Sequence, residues 1–195
     1  MEKKYELTNE RRVIRAWYGR KVTLHRIVAV RDFDVNMLQT VTCFVGDEGH
    51  IEKRIITKHI EQGDLGGWIE SEKNLSHEGN AWVDKGAVVF DEAVIKDNAW
   101  VGGEKTTVAG RVIVCDEAKI YSDDRDKNKL HRTDVAGVIE VTGYSKITSS
   151  MRGKGIVKNQ YISRPAEVLT KEPPQAKVKF ECSIGDRKIA REYVL

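Results

Sequence analysis

The stretch NAWVDKGAVVFDEAVIKDNAWVGG (residues 80–103) decides the fold. Ala81, Ala87, Ala93 and Ala99 recur every six residues, and Val83, Val89, Ile95 and Val101 keep the same interval two positions later. One extra residue in the Gly102–Lys105 turn lets the pattern run on. The small positions continue as Thr106, Val112 and Ala118, the aliphatic ones as Val108, Val114 and Ile120. A strand repeats every two residues and a helix every 3.6, so neither explains six. Short strands joined by corners do, when each buries its apolar side on the next. The corner pairs Gly79-Asn80, Lys85-Gly86 and Asp97-Asn98 supply residues that tolerate positive φ. β-branched residues at the aliphatic position further disfavour a helix.

After Tyr121 the period breaks. SDDRDKNKLHRTD (122–134) is charged, lacks apolar periodicity and reads as a loop in solvent. The template returns at Ile139-Glu140-Val141 and Ser145-Lys146-Ile147, and less well at Gly155-Ile156-Val157. Upstream, Val13–Trp17 and Val22–Val30 read as a hairpin around Tyr18-Gly19-Arg20-Lys21. Thr40–Val45 and Ile51–Ile56 read as a second hairpin, and TKHIEQGD (57–64) as one helical turn ended by Gly63. Downstream, Pro173-Pro174 breaks the chain, and alternation at Val178, Phe180 and Cys182 predicts a C-terminal hairpin over an open edge. The expected division is 1–65 as an N-terminal hairpin region with an insertion, 66–162 as the repeat with its excursion at 122–134, and 163–195 as linker and hairpin.

The hexads resemble the hexapeptide-repeat left-handed β-helix, in which three hexads make one triangular coil. GDLGGWIE (63–70) followed by NLSHEGNAWV (74–83) narrows the resemblance to a family of phage and prophage β-helix proteins. KYELT (4–8) and TLHRIVAVRDF (23–33) resemble that family's opening segment. The likeness covers most of residues 1–121, apart from a stretch near 34–60. It implies an all-β protein with a left-handed β-helix of about three coils, stacked ~4.8 Å apart, and hairpins at both ends. It brings a phage context and no mechanism.

Composition excludes several classes. Forty per cent hydrophobic with 32% charged residues suits a folded soluble chain. No apolar run approaches the ~20 residues of a membrane span, and MEKKYELTNERR (1–12) lacks a signal peptide's apolar core, which argues against export; with the phage resemblance, the expected location is the cytosol of a bacterial host. Cys43, Cys115 and Cys182 are far apart and never in a C-x-x-C pair, arguing against a disulfide framework, a zinc site or a cofactor. Residues 61–121 are net acidic between two net basic ends, a segregation that attracts a charged partner or orients self-association. The basic ends lack an RNA-binding motif or interleaved aromatics, which argues against nucleic acid.

In a three-sided coil Trp82 and Trp100 stack on one outward face, and Val94 and Ile113 on another. Something must cover them: the terminal hairpins, or a second subunit in a dimer or trimer. His131 sits in the excursion, where hexapeptide acyltransferases, which this fold resembles, place a general base, but Asp123, Asp124 and Asp126 beside it would weaken that base. His77 reads as a hydrogen-bonded cap on the first coil. Arg152-Gly153-Lys154-Gly155 could cradle a phosphate but lacks the length and Lys-Ser/Thr ending of a P-loop. No constellation fixes a reaction. The expectation is a non-catalytic phage-encoded accessory protein that binds a host macromolecule and inhibits a bacterial defence system, with Arg125, Lys127 and Lys129 of the excursion and the C-terminal hairpin as its contact surface. The rival expectations are an acyltransferase using His131 and a sponge for a nucleotide signal.

Overall fold

The computed structural model describes residues 2–45, 48–122, 133–162, 166–168, 177–184 and 187–194. Every regular element among them is a strand, apart from one 3-10 turn at Glu72–Asn74. No helix is long and apolar enough to cross a membrane. In chain order the strands are β1 (Tyr5–Arg15), β2 (Lys21–Ala29), β3 (Phe33–Val45), β4 (Glu48–Ile60), β5 (Leu65–Ile69), β6 (Trp82–Val83), β7 (Val88–Val89), β8 (Val94–Ile95), β9 (Trp100–Gly102), β10 (Thr106–Val114) and β11 (Lys119–Tyr121). They continue as β12 (Thr133–Thr142), β13 (Lys146–Ile147), β14 (Met151–Lys158), β15 (Tyr161–Ile162), β16 (Ala166–Val168), β17 (Lys177–Ile184) and β18 (Arg187–Val194).

From β5 onward the coils pair in parallel, one turn of chain against the next. Trp82 lies opposite Trp100, Trp100 opposite Lys119, Lys119 opposite Lys146 and Lys146 opposite Tyr161. A second column runs β5-β7-β10-β12-β14-β16, and a third joins Leu75 to Ile95 and β8 to the end of β10. The two positions of the repeat are the core. Ala81, Ala87, Ala93, Ala99, Thr106, Val112 and Ala118 are at most 1% exposed, as are Val83, Val89, Ile95, Val101, Val108, Val114 and Ile120. The template resumes at Thr133, which pairs with Thr106, six residues before Ile139. Tyr121 and Thr133 stand at the same corner, where Thr133 Oγ1 donates to the Tyr121 carbonyl at 3.2 Å.

The corners carry the positive-φ residues. One edge stacks Gly79, Asp97, Asp116, Gly143 and Asn159, with φ of 63, 58, 54, 65 and 53°. Side chains there bond the next rung: Asp97 Oδ2 accepts from Asp116 N at 3.2 Å and Asp116 Oδ2 from Gly143 N at 2.9 Å. Glycine is needed where coils approach most closely. Gly137 sits at φ +126°, and a Cβ there would lie 2.0 Å from the Gly153 carbonyl oxygen. In the GDLGG block, a Cβ on Gly66 would meet Ile27 and Trp82 at 2.6 Å, so the pair Gly66-Gly67 lets β5 close onto the first coil.

The segment near 34–60 is one long antiparallel hairpin, β3–β4, with Phe33 opposite Ile60 and Val45 opposite Glu48. Its strands run further than the sequence implied, and Thr57–Ile60 end β4 in place of the expected helical turn. Phe33, Val35, Leu38 and Ile60 are buried in the same core as Trp82 and Trp100. The first hairpin, β1–β2, pairs with β5 and folds Ala16, Val22 and Leu24 against Val88, Phe90 and Ala109. β17 and β18 form the expected C-terminal antiparallel hairpin.

Candidate binding site

The start of the coils is sealed by the first strand. Tyr5 donates its hydroxyl to the Leu75 carbonyl at 2.7 Å and stacks on His77 at 4.3 Å. Lys4, with no exposed surface, donates to the carbonyls of Gly79 (3.2 Å) and Ala81 (2.7 Å), which have no coil beneath them. Burial, aided by the nearby Arg31, pulls the Lys4 amine down to about 7. His77 Nδ1 accepts from Lys4 N at 3.2 Å, and burial lowers its pKa. The structure thus places His77 in a cap on the first coil. Asn74, also buried, accepts from Glu70 N and Ser71 N and donates to the carbonyls of Asp91 and Ala93. The NLSHEGN block is spent on closing the first turn.

Trp82 and Trp100 are each 1% exposed. Phe33, Val35, Leu38 and Ile60 of β3 and β4 pack into the same core, with Phe33 edge-on to Trp82 at 5.3 Å, and Tyr121 of β11 stacks on Trp100 at 5.7 Å. The expectation that these tryptophans form a surface for a second subunit is corrected: the chain's own hairpin takes their place. Val94 and Ile113 do pair directly, and Ile113 remains 40% exposed. Of the two expected self-association faces, this one alone is at the surface. Arg125, Lys127, Lys129 and His131 lie outside the described residues. Arg152-Gly153-Lys154-Gly155 belongs to β14, and its backbone pairs with β12 throughout and with β16 at its start. The amides are committed to the sheet and do not form a phosphate loop.

The tip of the β1–β2 hairpin is a surface the sequence reading missed. Gly19 (φ +90°) donates to the Ala16 carbonyl at 2.8 Å, and the tight turn leaves Trp17 63% and Tyr18 45% exposed. Arg20 braces the turn against the coils. It donates to Glu70 through both Nη atoms, at 2.7 and 2.9 Å, and pairs with Asp91. Tyr18 donates its hydroxyl to the same Asp91, whose other oxygen accepts from Gly110 N at 3.1 Å. Beside the tip lies an open concavity of about 740 Å³ lined by Tyr18, Arg20, Glu70, Asp91, Glu92 and Arg111. The hydrogen bonds from Arg20 hold Glu70 below the usual carboxylate range, and those to Glu70 raise Arg20. A general acid or base is tuned towards neutral pH, and this pair is tuned away from it. The cluster acts as a clamp. The signal for the tip was WYG inside a hairpin turn: apolar rings where the fold itself has nothing to bury them against.

Trp17 carries the Arg152 guanidinium 5.5 Å from its ring centre. Arg152 opens the outer face of β10, β12 and β14, where Ile113, Val138 and Ile156 are 40%, 38% and 40% exposed. Elsewhere Asp97, Cys115 and Asp116 come within 4.8 Å of one another. Their atoms already serve the corner: Asp116 Oδ2 also accepts from Thr142 Oγ1 at 2.5 Å, and burial raises the Cys115 thiol away from the thiolate a metal needs. In comparison with known proteins, the chain matches no family model, and no curated protein is significantly similar to it.

Proposed function

We propose that the chain is a non-catalytic binding platform whose strands wind as a left-handed β-helix. The six-residue spacing, the parallel register between turns and the positive-φ residue at each corner support that winding. The observation that carries the binding role is the outer face of β10, β12 and β14, where Ile113, Val138 and Ile156 are exposed, with Trp17 against Arg152 of β14. Apolar surface in water costs roughly 25 cal/mol per Å², and strands locked in parallel register cannot turn these side chains inward. A partner that covers them recovers that free energy, and side chains on rigid scaffolds commonly serve binding. The phage context we assign rests on the sequence resemblance alone, and the further step, action on a host macromolecule that blunts a bacterial defence system, rests on what small phage accessory proteins commonly do.

The test is a pull-down from bacterial lysate with the wild type and with Ile113→Glu/Val138→Glu, alongside an acyl-transfer assay with acetyl-coenzyme A. The expected result is a stoichiometric host protein retained by the wild type and lost by the variant. Acyl transfer that disappears in His131→Ala would replace the platform with an acyltransferase. A nucleotide retained equally by both proteins would replace it with a sponge.

A further inference from the structure

We infer that the partner of this face is a protein surface with an apolar centre ringed by carboxylates. This rests on the platform reading and adds the chemistry of the partner. The register sets the pattern: Arg111 lies opposite Val138 and Val138 opposite Lys154, and two residues on, Ile113 lies opposite Glu140 and Glu140 opposite Ile156. Alternate residues of a strand share a face, and neighbouring strands lie ~4.8 Å apart. Ile113, Val138 and Ile156 therefore form an aliphatic triangle across three strands, with Glu140 between Ile113 and Ile156. The intervening Val112, Ile139 and Val157 point into the core at 0%, 2% and 0% exposure. Arg111 and Lys154 flank the patch within these rows, while Arg152 under Trp17 and Lys158 close its two ends along β14. Glu140 is the one carboxylate in these two rows of β10, β12 and β14, and Glu92 of the preceding turn lines the concavity together with Arg111.

Three occupants can be weighed against this pattern. A second copy related by a two-fold axis would bring the face onto itself, and basic rim would meet basic rim. Single-stranded nucleic acid would suit the arginines and lysines. It would also set phosphates against Glu140 and leave three aliphatic side chains under a charged backbone. A protein with an acidic rim and an apolar centre that offers Glu140 a hydrogen-bond donor satisfies every part, and Trp and Arg are the side chains that most often dominate such interfaces.

The experiment selects a displayed random-peptide library and a random single-stranded oligonucleotide library on the immobilised full chain, each against wild type, Val138→Thr and Lys154→Glu. Sedimentation of the free chain runs in parallel, and thermal melting verifies that both surface variants are folded. The expected result is enrichment of peptides with Asp or Glu around Leu, Phe or Trp. Their affinity should fall about tenfold or more in each variant, equivalent to ~1.4 kcal/mol, and should weaken with salt. Oligonucleotides that bind through Lys154 and ignore Val138→Thr would overturn the acidic-protein partner and leave the platform standing. Self-association abolished by either substitution would overturn it in favour of a second copy. Enriched peptides that are neutral or basic would overturn the inferred chemistry. No enrichment, or binding indifferent to both substitutions, would overturn the partner and the platform together.

Discussion

Two outward rows of the same repeat have opposite fates. Along one, Trp82, Trp100 and Lys119 are sealed at 1%, 1% and 0% exposure, and only at Lys146 and Tyr161 does the row return to the surface. Along the other, Val94, Ile113, Glu140 and Ile156 are all at least partly open. Within the hexads the two rows occupy equivalent places. The difference comes from residues 33–60, a hairpin remote in sequence that lays Phe33, Val35, Leu38 and Ile60 over the first row. What lies outside a coil is thus decided by whichever segment comes back to cover it, and the uncovered row is where a partner has room.

The sharpest way to break the comparison is to truncate one residue in each row. Trp82→Ala removes a ring packed on Phe33 and Gly66 and should cost about 3–5 kcal/mol in urea unfolding. Ile113→Ala, on the open row and 40% exposed, should cost no more than ~1 kcal/mol. Similar losses at both sites would mean that the open face is part of the fold and offers nothing to a partner.

The corners come next. Gly137→Ala forces a side chain into φ +126° and towards the Gly153 carbonyl, so we expect a cost of about 1–3 kcal/mol. Gly19→Ala at the exposed tip shares a positive φ but meets nothing within 4 Å, and should cost less. Equal melting temperatures for the two variants would show that close stacking of the coils does not constrain that corner.

The legibility of the sequence follows the same division. Positions such as Ala93 and Ile95 could be read because a period of six is imposed by geometry local to each coil. The seam was misjudged: the template resumes at Thr133, since the charged run hides where the coil is re-entered. The covering of Trp82 by Phe33 could not be read, because pairing between remote segments leaves no period in either. The brace at Arg20 was equally hidden, since Glu70 and Asp91 meet it only after three turns of chain are stacked.

The sealed end of the coils also predicts a pH response. With the native Lys4 amine at about 7 and the ordinary value at 10.5, the unfolded chain binds more protons between those limits. Stability should therefore rise with pH from about 7 to 10.5, and the cost of burying the charge is fully present below 7. A neutral amine keeps both bonds to Gly79 and Ala81, so the cap survives the titration. His77 adds an acid limb: its native pKa is lowered from 6.5, so stability is lost as pH falls below that value. Lys4→Met should reduce the rise in melting temperature between pH 7 and 10.5, leaving the share that buried Lys119, whose amine is also lowered by burial, contributes, while the loss in acid remains. An unchanged alkaline slope would mean that Lys4 is not among the titrating groups.

The smallest effect belongs to the brace at the hairpin tip. Glu70→Gln keeps the shape of the side chain and removes the charge that Arg20 grips, and that pair is partly exposed, at 41% and 26%. Exposed ion pairs contribute little, so the global loss should stay below ~1 kcal/mol. Because Arg20 lowers the Glu70 pKa, the carboxylate's contribution is present at neutral pH and is lost as pH falls through that lowered value. Loss of the charge should instead be felt locally. The Gly19 amide, which closes the turn onto Ala16, should exchange its hydrogen faster in Glu70→Gln, while core amides such as that of Trp100 keep their protection. The turn would then present Trp17 less rigidly, and a partner held by that ring should dissociate faster with little change in the melting temperature. Loss of protection spreading from Gly19 into the coils would show that the brace belongs to the core, and the tip could no longer be treated as a binding element set on a rigid support.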